Sequence, residues 1–142
     1  MKRLVLIFVP WALLGALASC GGDGGSSGGG SGAISPDAVT VTASNADAAT
    51  YRLVVQTYDS STTPFALTEQ IVADPLPAAA GGNPGTAAGA VILAPTSAVL
   101  KHYFGIRNPS TGALLGISAE YVKGPAWQAA TVSVAGQAVT AW

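Results

Sequence analysis

Short segments in which apolar and polar residues alternate recur along the chain from residue 33 onward. A period of two is typical of β-strands that bury one face. No segment shows the periodicity of an amphipathic helix. The pattern predicts seven or eight strands and an all-β fold, namely an antiparallel β-sandwich or, alternatively, a small barrel. The predicted strands are residues 37–43, 50–58, 65–73, 90–94, 99–106, 113–122, 129–135 and 138–142.

The second predicted strand gives the clearest assignment of a buried face. Tyr51, Leu53 and Val55 fall on one face, whereas Arg52 and Gln56 fall on the other. A charge buried without a partner is costly. We therefore expect Val55→Asp to disrupt folding and Gln56→Asp to be tolerated.

One stretch between the predicted strands is rich in residues that break regular structure. Residues 74–89 contain three prolines, four glycines and a run of alanines. This composition predicts a long irregular loop rather than a strand or helix. Loops of that length are usually functional or disordered, and the small, almost uncharged side chains favour disorder over a binding role.

The first nineteen residues have the three parts of a secretory signal peptide. Lys2 and Arg3 form a basic start, residues 4–14 are apolar, and residues 15–19 are mostly small. The apolar run is shorter than the roughly 20 residues that a membrane-spanning helix needs. We therefore interpret residues 1–19 as a signal peptide rather than a transmembrane anchor.

The segment Leu17-Ala18-Ser19-Cys20 follows the apolar run and contains the single cysteine of the chain. It resembles the lipobox of bacterial lipoproteins, which has an aliphatic residue and two small residues before a cysteine. The resemblance implies that Cys20 receives a diacylglyceryl group, that the signal is cut before Cys20, and that the new amino terminus is acylated, for example with palmitate. Several acyl chains hold a protein firmly on its membrane, which is thus an expected partner through the lipid at Cys20.

The residues after the cysteine indicate where and how the protein is held. In the enterobacterial pattern, an aspartate directly after the lipidated cysteine implies retention in the inner membrane. Gly21 occupies that position here, so the resemblance implies that the protein lies on the outer membrane of the cell envelope, facing the periplasm. Residues 20–32 are almost entirely glycine and serine. Such a segment is expected to be a flexible tether that averages on the order of 20 Å end to end. Residues 33–142 then form one β-sandwich domain.

Charge and residue inventory exclude several functions. Without Lys2 and Arg3, four basic residues remain against seven acidic ones, so nucleic acid is not an expected partner. His102 is the single histidine, and no second histidine or thiol could complete a zinc site with it. Residues 59–63 (Asp-Ser-Ser-Thr-Thr) are similar to the metal-adhesion motif of von Willebrand A domains, but the all-β pattern favours a plain capped loop. We predict no catalytic, cofactor-binding or metal-binding residue, and no enzymatic activity.

Aromatic residues offer the remaining candidate site. Five aromatic residues could form an exposed face that binds sugars or a protein partner, although aromatic residues near strand ends more commonly pack in a sandwich core. The five are Tyr58, Tyr103, Tyr121, Trp127 and Trp142.

These observations lead to three hypotheses for the function. The leading one is a noncatalytic, lipid-anchored protein-interaction module with an envelope protein as its partner. The alternative is a module that binds a small molecule or a carbohydrate. Residues 115–121, followed by Trp127, also resemble the small lipoprotein of type VI secretion membrane complexes, which has a transthyretin-like sandwich. That resemblance implies a role in assembling a secretion system.

Overall fold

A computed structural model describes residues 37–142. It contains eight β-strands and, within these residues, no helix. The expected signal peptide, Cys20 and the tether lie outside the described residues. The strands are β1 (Asp37–Asn45), β2 (Tyr51–Asp59), β3 (Ala66–Leu76), β4 (Gly85–Leu93), β5 (Leu100–Arg107), β6 (Leu114–Ile117), β7 (Ala129–Ala135) and β8 (Ala138–Ala141).

The strands form two four-stranded sheets that pack against each other as a β-sandwich, which confirms the predicted fold class. The strand order is β4-β1-β7-β8 in the first sheet and β3-β2-β5-β6 in the second. Neighbouring strands are antiparallel except β1 and β7, which are parallel. Alternating residues of both sheets therefore point into one shared core.

The core contains the face of β2 that the sequence predicts to be buried. Tyr51, Leu53 and Val55 are at most 3% exposed and pack in the same cluster as Phe104 of β5. The ring of Phe104 meets that of Tyr121 edge-on, with centroids 5.3 Å apart. The first sheet completes the core with Val39, Val41, Ala43, Val91, Leu93, Ala130, Val132, Val134 and Val139.

The opposite face of β2 is also covered, which changes the expectation for Gln56. Its side chain is only 3% exposed, and its Nε2 donates a hydrogen bond to Oε2 of Glu69 at 2.9 Å. Gln56 does point away from the core, as predicted. Side chains of the neighbouring strands nevertheless bury it, so the expected tolerance of an aspartate there is not supported.

The prediction that residues 74–89 form one long loop is wrong. β3 continues to Leu76 and β4 begins at Gly85, so the connection is residues 77–84. Gly89 serves close approach between the two sheets, because a Cβ atom on it would lie 1.9 Å from the carbonyl oxygen of Val72, whereas Gly81 and Gly82 adopt positive φ in the connection. Pro75 lies in β3, an edge strand, where a proline is tolerated.

The two ends of the sandwich differ in which connections they carry. One end, called here the Asp37 end, contains the start of β1 and the loops 60–65, 94–99 and 118–128. The opposite end contains the connections 46–50, 77–84, 108–113 and 136–137.

Within residues 37–142, no helix has the length and apolarity required to span a membrane.

Candidate functional site

The outward face of the sheet β3-β2-β5-β6 carries the most distinctive surface chemistry of the described residues. A groove of about 380 Å³ lies on it, and its walls are more apolar than polar. The aromatic groove, as it is called below, is lined by Tyr58, Lys101, Tyr103, Ile117 and Ser118.

Strand register places the groove residues side by side. Tyr58 lies opposite Lys101, and Gln56 lies opposite Tyr103, so all four side chains share the outward face of β2 and β5. The rings of Tyr58 and Tyr103 meet edge-on, with centroids 5.5 Å apart and an interplanar angle of 87°. Phe65 extends this aromatic row, with its ring centroid 6.1 Å from that of Tyr58.

Apolar side chains continue from the groove across the same face. Leu67 and Ile71 of β3 and Ile117 of β6 are each between 44% and 57% exposed. Leu67 lies opposite Tyr58, and Ile71 lies opposite Val54. Aliphatic side chains thus flank the tyrosines on both sides, which is typical of binding surfaces that exclude water on contact.

Three ion pairs neutralise the charges on and beside this face. Arg107 binds both carboxylate oxygens of Glu69, with Nη2 2.7 Å from Oε2. Lys101 Nζ lies 2.8 Å from Glu120, and Arg52 pairs with Asp74. The hydrogen bond from Arg107 lowers the pKa of Glu69, and that to Glu120 raises the pKa of Lys101. The face thus combines apolar surface with balanced charge.

The structure places His102 away from this groove, inside the sandwich. The side chain is 1% exposed. Its Nε2 lies 2.8 Å from the carbonyl oxygen of Ala94, and its Nδ1 lies 2.9 Å from Oγ1 of Thr57. Burial is the main cause that lowers the pKa of His102 below its usual value, so the imidazole is neutral at pH 7. Both ring nitrogens are engaged within the protein.

The Asp59 segment forms a local turn. Asp59 Oδ1 accepts hydrogen bonds from the backbone N–H and the hydroxyl of Ser61, and these bonds lower the pKa of the carboxyl. This is the capped loop that the sequence favours. Among residues 37–142, no three histidine, cysteine or acidic side chains gather into a potential metal site.

The five candidate aromatic residues do not form one face. Tyr58 and Tyr103 line the groove, whereas Tyr121 is 2% exposed and belongs to the core. Trp127 lies in the loop before β7, and Trp142 lies beside Thr131 after β8; they are 53% and 63% exposed. Alternation along one strand does not show which strands pair or in which register. The sequence therefore did not identify Lys101, Ile117 and Ser118 as neighbours of the two tyrosines.

The outward face of the other sheet has a different character. A depression of about 540 Å³ there is lined by threonine, serine and alanine side chains, including Thr42, Ser44, Thr86 and Thr131. It offers hydroxyl and methyl groups but neither an aromatic ring nor a charge. The aromatic groove therefore has the more varied binding chemistry.

Comparisons with known proteins assign no family. No protein-family model matches the chain, and no curated protein matches it significantly.

Proposed function

We propose that this protein is a lipid-anchored component of the bacterial cell envelope that acts as a noncatalytic protein-interaction module through the aromatic groove. The resemblance of residues 17–20 to a lipobox supports an anchor at Cys20 on the outer membrane, facing the periplasm. The groove supports the interaction role, because tyrosines flanked by aliphatic side chains are typical of interface hot spots. The observation that carries the proposal is the pair Tyr58 and Tyr103 beside the exposed Ile117.

The charge distribution indicates what kind of partner fits. Arg52, Lys101 and Arg107 each have an acidic partner within the protein, so a partner does not need to supply opposite charges. The partner is therefore a protein with an apolar, weakly charged surface that buries the tyrosines and the aliphatic side chains around them. Binding of this kind depends on apolar contact and depends little on salt.

The surroundings of the titratable residues support a noncatalytic role. The buried His102 hydrogen-bonds to Thr57 and Ala94. The groove itself is lined by two tyrosines, a lysine, a serine and an isoleucine, and that lysine pairs with Glu120. A general base needs both access and a pKa near the working pH; His102 lacks access, and the hydrogen bond to Glu120 raises the pKa of Lys101.

Site-directed photocrosslinking in intact cells tests the proposal. A photoreactive amino acid at Tyr103 is expected to capture one envelope protein, whereas the same amino acid at the exposed Thr40 of the other sheet captures none. The captured band is expected to disappear in Cys20→Ala, which removes the acylation site. Equal capture from both positions would contradict the role of the groove. Capture that survives Cys20→Ala would contradict the need for the anchor.

The groove also supports a second candidate, binding of a small molecule or carbohydrate. Its volume of about 380 Å³ lies within the range of ligand sites, and tyrosine rings can stack on sugars. Oligosaccharides that bind there should quench the fluorescence of the full chain, and Tyr103→Ala should abolish the effect.

A third candidate, assembly of a secretion system, is favoured only by the resemblance to the type VI secretion lipoprotein, whose segment supplies Ile117 and Ser118 to the groove. It requires the captured protein to be a secretion-system component.

A further inference from the structure

The loops at the Asp37 end expose apolar side chains that do not line the aromatic groove, although Phe65 contacts Tyr58 beside it. Phe65, Val99, Val122 and Trp127 are 62%, 44%, 55% and 53% exposed. They come from all three loops at that end, which follow β2, β4 and β6. The four connections at the opposite end, all within the described residues, contain no large exposed apolar side chain. Leu114 and Leu115, the large exposed apolar residues nearest that end, lie at the start of β6, so it is the connections of the two ends that differ chemically.

Backbone hydrogen bonds join these loops into one platform. The N–H of Ser60 donates to the carbonyl oxygen of Val99 at 2.9 Å, which links the first loop to the second. The N–H of Thr96 donates to the carbonyl oxygen of Lys123 at 2.9 Å, which links the second loop to the third. The backbone segments that carry these apolar side chains are thus joined to one another.

Trp127 is held on this platform with much of its indole exposed. The backbone N–H of Trp127 donates to the carbonyl oxygen of Gly124 at 3.3 Å, and the indole ring lies against the Gly124 backbone. A Cβ atom at position 124 would lie 3.3 Å from the ring. Glycine thus allows the indole to lie flat on the loop. Tryptophan with one covered and one exposed face suits the boundary between lipid and water.

Charges at this end have partners within the protein. Lys123 Nζ lies 3.5 Å from Oδ2 of Asp37, and Lys101 pairs with Glu120. Asp59 accepts hydrogen bonds from Ser61. Attraction to this surface would therefore come from apolar side chains and would not require anionic lipid.

We propose that the Asp37 end is a second membrane contact, which inserts Val99, Val122 and Trp127 among the headgroups of the bilayer. The preceding chain joins the sandwich at Asp37, so a lipid on Cys20 and a short tether would bring this end to the membrane first. The orientation rests on the proposed anchor. Contact at this end sets the strands upright and leaves the aromatic groove on the side of the domain, where a partner can reach it. Phe65 lies at the corner between the two surfaces.

Tryptophan quenching tests this contact, because the chain supplies its own control. In the full chain carrying Trp11→Phe and Trp142→Phe, all tryptophan fluorescence comes from Trp127. The matched protein carrying Trp11→Phe and Trp127→Phe reports on Trp142, which lies beside Thr131, level with Thr42 midway along β1. Each is purified from membranes and reconstituted into phosphatidylcholine vesicles whose acyl chains are brominated near the headgroup. Trp127 is expected to be quenched several-fold more than Trp142.

A second variant separates contact through the exposed side chains from mere closeness to the membrane. Val99→Asp combined with Val122→Asp changes exposed positions, so melting should not change, yet the quenching of Trp127 should fall to the level of Trp142. Equal quenching of the two tryptophans, or quenching of Trp127 that survives the double variant, would overturn the proposal.

Mass spectrometry of the peptide that contains Cys20 shows independently whether Cys20 carries the lipid anchor. If Cys20 carries lipid and Trp127 is not quenched, the second contact is wrong while the anchor stands. If Cys20 carries no lipid, the same proteins are mixed with preformed brominated vesicles. Selective quenching of Trp127 would then support the membrane contact without the anchor. If Trp127 is not selectively quenched, both the membrane contact and the anchor are wrong.

Discussion

Oγ1 of Thr57 lies 2.9 Å from Nδ1 of His102 across the pair β2 and β5. On the other side of the ring, Nε2 lies 2.8 Å from the carbonyl oxygen of Ala94. A carbonyl oxygen only accepts hydrogen bonds, so Nε2 carries the proton and the Nδ1 of the neutral ring accepts from the threonine. The buried ring therefore links β2, β5 and the loop after β4 in its neutral form.

The neutral state of His102 predicts stability that depends on pH. Burial lowers the pKa of His102 in the folded protein, so the unfolded chain takes up the proton first as the pH falls. The free energy of unfolding should therefore decrease as the pH falls below about 6.5, by at most about 1.4 kcal/mol per pH unit from this histidine. Urea unfolding of the full chain at several pH values measures this slope.

His102→Gln provides the control for the slope. Glutamine can donate to Ala94 and does not titrate, so the variant should lose the decrease in stability that begins below about pH 6.5. Other charged groups near the ring also matter: Lys123 lowers the pKa of His102, and Glu120 raises it. A slope that is unchanged in His102→Gln would assign the effect to groups other than this histidine.

Both faces of β2 should resist a negative charge. Val55→Asp places a carboxylate in the core and should prevent folding. Gln56→Asp removes the donor to Glu69 and places a second carboxylate beside it, so it should destabilise by about 1–3 kcal/mol. Thr40→Asp, at an exposed position of the other sheet, should have little effect. A Gln56→Asp protein as stable as Thr40→Asp would contradict the packing seen here.

The approach of β3 to β4 depends on Gly89. An added Cβ would lie 1.9 Å from the carbonyl oxygen of Val72, so Gly89→Ala must push the two strands apart. We expect a loss of about 3 kcal/mol in the free energy of unfolding. Ala90→Ser changes the exposed neighbouring position and serves as the matched control. Equal melting temperatures for the two variants would show that the strands adjust freely.

Local patterns predicted the fold because alternation reports which side of a strand is buried. Tyr51, Leu53 and Val55 follow this rule, and the all-β sandwich follows from several such segments. The rule failed at residues 74–89, where glycine was interpreted as a loop signal. Gly89 instead lets the backbone of β4 approach that of β3 closely, a contact between strands that no local pattern contains, and Gly85 lies against the backbone of Pro77 in the connection.

The candidate site was only partly predictable for the same reason. The sequence identified Tyr58 and Tyr103 as possible members of an aromatic face, but it grouped them with Tyr121, which is in the core. Lys101 and Ile117 join the groove through the pairing of β2 with β5 and of β5 with β6. Pairing depends on the register between distant segments, and a single sequence does not specify it.

The turn between β7 and β8 depends on Asp47, which comes from the connection between β1 and β2. Its carboxylate accepts hydrogen bonds from the backbone N–H groups of Gln137 and Gly136, and from the hydroxyl of Tyr51 at 2.9 Å. These bonds, first that from Gln137, lower the pKa of Asp47. The carboxylate therefore holds the turn in its charged form.

Asp47→Ala should loosen this turn, because two backbone donors lose their acceptor. Amide hydrogen exchange at Gly136 and Gln137 should become faster, while exchange in the centre of β2 stays slow. In the unmodified protein the same two amides should exchange faster, relative to the intrinsic rate, only at a pH below the ordinary aspartate value of 3.8, because the lowered pKa delays protonation of the carboxyl. Asp59→Ala, which removes the acceptor of the local turn at Ser61, is the matched control and should leave both amides protected. If the two variants give the same exchange rates at Gly136 and Gln137, Asp47 does not hold the turn.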